Sequence, residues 1–425
     1  MIAWNWNRVN RVGICFIQRT EARLAYTTTG LCGRKLLPLS DLSDIVSFRD
    51  EWQVLLEFAS PVPNTSRLVG LARSVDWSRI LVLAEEQGVL GHVANRLHEL
   101  DGNLVPVEIR MALLERHRAQ VVATLRMIGE LFRLLELFAA QDILALVVKG
   151  PVLAMQAYAD PTIRSYGDLD LLVRQPDIRR VTESLLVAGY QAATPLSAID
   201  AGRIPGQYLF ANSDTNLLVE LHNELTLRYF PRQLPLEKLF AQRTVVLLDR
   251  HEVPVLAVED ELVYICVHGA THLWDRLSWI ADVAALVTHQ SDIDWMAVRG
   301  TAKEVGAERM VHTGLHLAAD LLRAPLPDHV LVAVKRDVGS AKLAACACKW
   351  LPTAREVPPT LFGRAVFRLR MRGNACAAPA YLLRLSFSPT EEDWQANGKI
   401  NHTHVFEMLR RPFRLAQKYS RGSKP

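Results

Sequence analysis

Apolar residues repeat along the chain in two ways, and these repeats predict an order of helices and strands. Across residues 107–140 they recur every three or four positions, the pattern of one long helix with an apolar face. Residues 144–148 are instead a continuous apolar run, typical of a strand buried on both faces. Gly150 interrupts this run, and Pro151 stands where the first residues of a helix tolerate a missing N–H group. The centre of the chain is therefore predicted to fold as helix, strand, turn and short helix.

Two carboxylates stand at the start of the next predicted strand, residues 168–173. Side chains alternate across a strand, so Asp168 and Asp170 point to one face, with their Cα atoms roughly 7 Å apart. Carboxylates this close repel each other unless a positive charge lies between them, and a divalent cation with oxygen ligands is the natural occupant. The spacing therefore indicates a metal site on this strand.

Positive groups precede these carboxylates in the chain. The helix that starts at Gly150 presents unpaired backbone N–H groups and the positive end of its dipole, both of which favour phosphate. Lys149 and Arg164 add mobile positive charge. A metal, a helix N-terminus and two cations together indicate a triphosphate site. The alternative is an exposed acidic strand end with ordinary salt bridges.

Alternating apolar residues predict several strands beyond this motif. They cover residues 190–193, 207–211, 217–222, 244–248 and 253–256. On the strand at 217–222, Glu220 and His222 share one face. Glu220 is a candidate third carboxylate, with a cross-strand salt bridge as the alternative. His222 is a candidate cleft-lining residue, although a histidine at a strand end more often supports structure than chemistry.

A long helix is predicted to begin at Glu259, and one of its faces carries unusual polar side chains. At 100° per residue, six of them fall within about 120° of one another: His268, His272, Asp275, Arg276, Trp279 and Asp282. We expect this face to line a cleft opposite the sheet, where the histidines or Arg276 contact phosphate and a base stacks on Trp279. A zinc site at the two histidines is a second interpretation, and a structural polar network is a third.

Composition favours a folded protein with a substantial core. Half of the 425 residues are hydrophobic, and a net charge of +4 does not by itself indicate a nucleic-acid partner. The six cysteines are irregularly spaced, which predicts a reducing cytoplasm and no disulfide framework. No apolar run reaches the ~18 residues of a membrane span, and residues 1–34 lack the apolar centre of a signal peptide.

The end of the chain is strongly basic. Residues 364–425 contain 12 Arg or Lys and 4 Asp or Glu, an excess of 8 positive charges. Such a segment suits weak contact with an anionic membrane surface, RNA or an acidic partner. The alternative, in which the arginine stems pack against the helical part of the chain, is favoured.

The central motif carries a family resemblance. Val148-Lys149-Gly150, followed by Arg164-x-x-Gly167-Asp168-Leu169-Asp170-Leu171-Leu172-Val173, resembles the uncharacterised bacterial nucleotidyltransferases of the DNA polymerase β-like superfamily. The similarity extends over about residues 76–417. Members of that family often lie near exopolysaccharide or peptide-modification genes.

The resemblance implies an α+β fold, in which a small mixed sheet is flanked by helical subdomains. The expected divisions are an N-terminal extension at 1–64, helical support at 65–141, the nucleotidyltransferase sheet core at 142–257 and a C-terminal helical domain at 258–425. It also implies a function for each motif residue. Asp168, Asp170 and Glu220 would hold Mg²⁺ or Mn²⁺, whereas Lys149, Gly150, Arg164 and Gly167 would bind the nucleotide phosphates.

The expected reaction is transfer of a nucleoside monophosphate from an NTP such as ATP to a hydroxyl acceptor, with release of pyrophosphate. The acceptor is a small molecule, sugar, protein or RNA. One alternative is a non-catalytic nucleotide-binding or scaffold protein that retains the fold. Another is a kinase-like enzyme that transfers the γ-phosphate.

Overall fold

The computed structural model describes residues 49–373, except 101–102, 197–198, 200–205, 226–234 and 354–358. Five helices precede the sheet: α1 (Arg49–Ala59), α2 (Thr65–Leu71), α3 (Trp77–Glu86), α4 (Leu90–Arg96) and α5 (Val107–Ala139). The sheet segment contains β1 (Leu146–Val148), α6 (Gly150–Tyr158), β2 (Leu169–Leu172), α7 (Ile178–Val187), β3 (Gln191–Ala192), β4 (Gln207–Asn212), β5 (Leu217–His222), α8 (Leu236–Gln242), β6 (Thr244–Leu248) and β7 (His251–Val255).

Seven helices follow the sheet within the described part of the chain. They are α9 (Val258–Thr271), α10 (Leu277–His289), α11 (Trp295–Glu304), α12 (Glu308–Leu322), α13 (Asp328–Arg336), α14 (Val338–Trp350) and α15 (Leu361–Arg370). The predicted α+β fold is confirmed. Within the described residues, helices that precede and follow the sheet segment in the chain pack around a mixed sheet of seven strands. The predicted subdomain boundaries stay predictions.

The sheet has the order β3-β4-β5-β2-β1-β7-β6. At its centre β2 runs antiparallel to β1 and parallel to β5, and β7 runs parallel to β1. The outer strands are antiparallel to their neighbours, β3 to β4, β4 to β5 and β6 to β7. Because β2 lies between β1 and β5, polar residues at its start have a strand on each side.

Two apolar layers enclose the sheet, as the continuous apolar run of β1 predicts. One layer packs the end of α5 and helix α7 against Leu171 and Val219. The other layer packs Val148 and Leu172 against helices from both ends of the chain, including α1, α3, α9, α10 and α12. Asp170 alternates with Leu171, so it faces this second layer. The carboxylate is thereby directed towards helices α9 and α10.

The single long helix predicted from Glu259 is wrong, since the chain turns between α9 and α10. Leu273 and Trp274 have positive φ angles of 62° and 56°. The turn places the buried Trp274 ring where a Cβ on Gly269 would lie 2.4 Å from it and one on Gly314 would lie 2.9 Å from it. Because this turn depends on the packing of Trp274 against two glycines, the spacing of apolar residues does not predict where α9 ends.

A capping side chain also separates two consecutive helices further along the chain. Asp337 separates α13 from α14, and its side chain accepts hydrogen bonds from the backbone N–H groups of Gly339 and Ser340. The long helix α5, by contrast, follows its predicted range closely. Local apolar spacing predicts helix content well, whereas a capping side chain decides where one helix ends and the next begins.

Two of the predicted segments lie only partly within the described residues. Most of the basic segment, residues 374–425, lies outside the described residues, and so does most of the N-terminal extension. Helix α15 contains the first part of the basic segment. Among the described helices, none is long and apolar enough to cross a membrane.

Candidate functional site

The register of the central strands brings the acidic residues together. Asp170 on β2 pairs with Val148 on β1 and with Glu220 on β5. Paired residues on neighbouring strands point to the same face, so the two carboxylates lie side by side. Only 2% of the surface of Asp170 is exposed, while Glu220 is half-buried. His222 follows on the same face of β5, as the sequence predicts.

Three of these side chains place their donor atoms close enough to bind one cation. Oxygen atoms of Asp170 and Glu220 and a ring nitrogen of His222 all lie within 4.8 Å of one another. His222 Nε2 is 2.9 Å from Asp170 Oδ1 and 3.6 Å from Glu220 Oε2. Carboxylates suit Mg²⁺ and Mn²⁺, and imidazole is a further ligand for transition metals. These three side chains, which we call the Asp170 cluster, therefore fit a divalent metal.

Asp168 stands immediately before β2 and lies outside that group of three. Its side chain is partly buried, and its charge interacts with those of Asp170, Glu220, Lys149 and His222. Burial raises the pKa of Asp168 to about 7, assisted by the two neighbouring carboxylates and opposed by the two cations. Asp168 therefore interacts with the charges of the cluster, and its assignment as a metal ligand stays a prediction.

Lys149 connects the acidic cluster to the start of helix α6. Its ammonium lies 3.0 Å from Asp170 Oδ2 and 5.6 Å from the centre of the Tyr264 ring. Its backbone is strained, with φ 54° and ψ −141°, a conformation that costs of order 1–3 kcal/mol in a residue other than glycine. The backbone N–H of Lys149 donates a 3.2 Å hydrogen bond to Glu261 Oε1 on α9. Helix α9 therefore stabilises the strained turn.

The charges of the cluster shift the pKa values of its members in opposite directions. Burial alone would raise the pKa of Asp170, but Lys149 and His222 hold it well below its usual range. Burial would likewise lower the pKa of Lys149, but Asp170 and its neighbours hold it above its usual range. For His222, hydrogen bonds to the two carboxylates outweigh burial and raise the pKa to about 9.

Open space lies over the glycines of the motif. Gly150 begins α6 with a φ of +48°, and an added Cβ would meet no atom within 4 Å. The same holds for the exposed Gly167, just before Asp168. A backbone without side chains at these points permits close approach of a ligand. The helix start lies next to Val148, whose strand partner is Asp170.

Arg164, a predicted phosphate contact, is paired with a carboxylate on helix α10. Only 8% of its surface is exposed, and its Nε lies 3.0 Å and 2.8 Å from the two oxygens of Asp282 on α10. Asp282 also accepts a 3.1 Å hydrogen bond from the Tyr158 hydroxyl, and Arg164 Nη1 lies 3.5 Å from the Gly150 carbonyl oxygen. This placement favours a structural role, in which Arg164 ties α6 to α10.

The polar residues predicted to line a cleft meet at the junction of α9 and α10. The ring centres of His268 and His272 are 4.7 Å apart, and those of His268 and Trp279 are 5.3 Å apart and edge-on. The Arg276 guanidinium lies 5.8 Å from the centre of the Trp279 ring. Among the described residues, the histidines belong to no metal-binding group of three, whereas His222 does.

Sequence reasoning missed two residues that support the cluster. Glu261 is buried and hydrogen-bonds Lys149, and burial raises its pKa to about 7. Gln207 on β4 donates a hydrogen bond to Glu220. A signal for Glu261 was available, since Glu261, Tyr264 and His268 recur at the three- and four-residue spacing of one helix face. Gln207 carried no such signal, because strand pairing brings it to Glu220.

Comparison with known proteins adds a family to this geometry. Residues 73–323, more than half of the chain, match the family described as uncharacterised nucleotidyltransferase. No match was found among curated proteins. A solved structure, the lincosamide antibiotic adenylyltransferase LnuA with lincomycin bound, is similar with 15% identity and a TM-score of 0.29, over 38% of this chain and 97% of that one. The resemblance of the central motif is confirmed, and the chain belongs to this family of uncharacterised nucleotidyltransferases.

Proposed function

We propose that this chain transfers a nucleoside monophosphate from an NTP to a hydroxyl acceptor and requires Mg²⁺ or Mn²⁺. Membership of a nucleotidyltransferase family supports the reaction class. One observation carries the metal requirement: donor atoms of Asp170, Glu220 and His222 lie within 4.8 Å of one another beside the start of α6. Asp168, immediately before β2, is the further carboxylate that we assign to the metal.

The proposed reaction is a single displacement at phosphorus. The acceptor hydroxyl loses its proton and its oxygen forms a bond to the α-phosphorus. The bond between the α-phosphorus and the bridging oxygen breaks, and pyrophosphate leaves with the electron pair. A divalent cation bound by Asp168, Asp170 and Glu220 would supply positive charge to the phosphate oxygens and lower the pKa of the hydroxyl.

The protein itself supplies charge and position for the triphosphate. Lys149 brings its ammonium to within 3.0 Å of Asp170, where phosphate oxygens would approach the metal ligands. The first backbone N–H groups of α6 and the open space over Gly150 and Gly167 suit the other phosphate oxygens. Glu261 holds the Lys149 backbone, so it acts as a positioning residue.

His222 is assigned to hold the two carboxylates at a fixed separation. One ring nitrogen lies 2.9 Å from Asp170 Oδ1 and 3.6 Å from Glu220 Oε2, and the raised pKa favours a protonated ring that donates to Asp170 and carries positive charge beside Glu220. In that role it decreases the repulsion between two carboxylates that lie side by side on one face of the sheet. Gln207 supports Glu220 from the next strand.

The proposal is tested by following the α-phosphate. Purified protein is incubated with each α-labelled NTP, Mg²⁺ or Mn²⁺ and candidate hydroxyl acceptors from a cell extract. We expect metal-dependent label on an acceptor and equimolar pyrophosphate. Asp170→Asn should lower transfer by about 10²-fold or more, since it removes preorganised charge at the phosphates. Asp292→Asn, on an exposed residue remote in sequence from the motif, is the matched control and should retain activity.

Other products would refute the proposal in recognisable ways. NDP in place of pyrophosphate would indicate transfer of the γ-phosphate. Binding of NTP with no product for any acceptor fraction would indicate a nucleotide-binding scaffold. Equal transfer by wild type and Asp170→Asn would remove the cluster from the reaction.

A further inference from the structure

We propose that the rings of His268, His272 and Trp279 form the binding surface for the nucleobase of the NTP. We call these three side chains the ring wall. The inference rests on the proposed function and deepens it, since it assigns the nucleoside end of the substrate. It also assigns Arg368 on α15 to the nucleotide, outside the residues that match the family.

The ring wall continues a helix face that already contacts the cluster. On α9, Glu261 accepts the Lys149 N–H and the Tyr264 ring lies 5.6 Å from the Lys149 ammonium. His268 is four residues beyond Tyr264, which on a helix is the same face about 6 Å further along. The wall therefore starts beside Lys149 and leads away from the sheet. In a nucleotide whose phosphates lie at Lys149, the base would lie about 6 Å further along α9.

The three rings present one partly exposed aromatic surface. The ring centres of His272 and Trp279 are 5.0 Å apart, and those of His268 and Trp279 are 5.3 Å apart. His268 and Trp279 are partly buried, and His272 is exposed. Burial lowers the pKa of His268 well below its usual range, so this ring is neutral near pH 7. Neutral aromatic rings suit stacking of a base.

Charge around the ring wall favours a nucleotide over a cationic acceptor. The Arg276 guanidinium lies 5.8 Å from the centre of the Trp279 ring, and the positive charges of Lys149, Arg276 and Arg368 all act to lower the pKa of His272. A ligand with an amine would be repelled by these cations, whereas a nucleoside triphosphate carries the opposite charge.

Arg368 provides an independent observation. Its Nε is buried and has no hydrogen-bond partner among the described residues. A buried guanidinium nitrogen without a partner costs free energy, and an anionic ligand removes that cost. The neighbouring Arg370 has an exposed side chain, so it offers a matched control on the same helix.

The test compares nucleoside triphosphates with tripolyphosphate, which has the phosphates but no nucleoside. Calorimetric titration in Mg²⁺ measures the Kd of each of the four NTPs and of inorganic tripolyphosphate, for the full chain. Trp279→Leu should weaken the NTP that binds wild type best by at least fivefold, given the worth of one stacked base. It should leave the Kd of tripolyphosphate within twofold, and Trp279→Phe should restore much of the loss. Trp295→Leu, on α11, is the control for loss of a tryptophan.

Arg368→Met should weaken NTP binding by about tenfold, because it removes a charged hydrogen-bond donor. Arg370→Met should leave it unchanged. Unchanged NTP binding in both Trp279→Leu and Arg368→Met would overturn the inference. Equal loss of both ligands in Trp279→Leu and Trp279→Phe would assign the ring to the fold and also overturn it. Wild type that binds neither ligand would contradict the proposed function itself, a result distinct from these.

Discussion

Asp282 offers the sharpest test of how the site is held in place. It is 2% exposed, and both its oxygens lie within 3.0 Å of Arg164 Nε. Asp282→Asn retains the shape of the side chain but leaves the Arg164 guanidinium buried without a counter-charge. Removing one partner of a buried ion pair typically costs about 3–5 kcal/mol. We therefore expect the free energy of unfolding to fall by about 3–5 kcal/mol.

Urea unfolding followed by tryptophan fluorescence measures this change. The double variant Arg164→Met/Asp282→Leu should recover most of the loss, because it removes both charges together. It should also still bind tripolyphosphate, since Arg164 Nε is directed at Asp282. A cost below about 1 kcal/mol for Asp282→Asn, typical of an exposed pair, would refute the reasoning. Loss of tripolyphosphate binding in a folded double variant would return Arg164 to the phosphate site.

Three further predictions follow from particular contacts. Lys149→Met should lower nucleotidyl transfer by about 10²-fold or more, measured with α-labelled NTP, because it removes a positive charge beside the phosphates; transfer near the wild-type rate would contradict its role. Gly269→Ala should lower the free energy of unfolding by about 1–3 kcal/mol, because its Cβ would overlap the Trp274 ring; Gly129→Ala, in open space on α5, is the control and should not destabilise. Burial lowers the pKa of His92 to about 3. As pH falls below about 6.5, His92 therefore binds a proton in the unfolded chain but not in the folded chain, and this lowers the free energy of unfolding. Urea unfolding at pH 7.5 and pH 5 should therefore show a loss of about 2 kcal/mol that His92→Leu removes, and equal acid sensitivity in both proteins would refute the assignment.

The sequence alone predicts those parts of the fold and of the candidate site that depend on the spacing of neighbouring residues. The apolar run of β1, the glycine at the start of α6 and the alternation of Asp168 and Asp170 each depend on neighbours in the chain. Glu220 was found because strand alternation and chain order place it after the first two carboxylates, and the register of β2 with β5 brings it beside Asp170.

The contacts that sequence reasoning missed join distant parts of the chain. Arg164 and Asp282 are 118 residues apart, so a pattern around Arg164 could not show its partner. The turn after α9 depends on Trp274 packing against Gly269 and Gly314, which belong to different helices. His222 was predicted only as a lining residue, because its 2.9 Å contact with Asp170 depends on strand register.

Direct measurement of metal binding tests the central claim most closely. Titration of the full chain with Mn²⁺, followed by electron paramagnetic resonance, reports bound metal without need of nucleotide or acceptor. We predict that wild type binds Mn²⁺ and that Asp170→Asn and Glu220→Gln each weaken this binding at least tenfold, while Asp292→Asn does not. Equal Mn²⁺ affinity in wild type and in both cluster variants would contradict a metal site built from Asp168, Asp170 and Glu220.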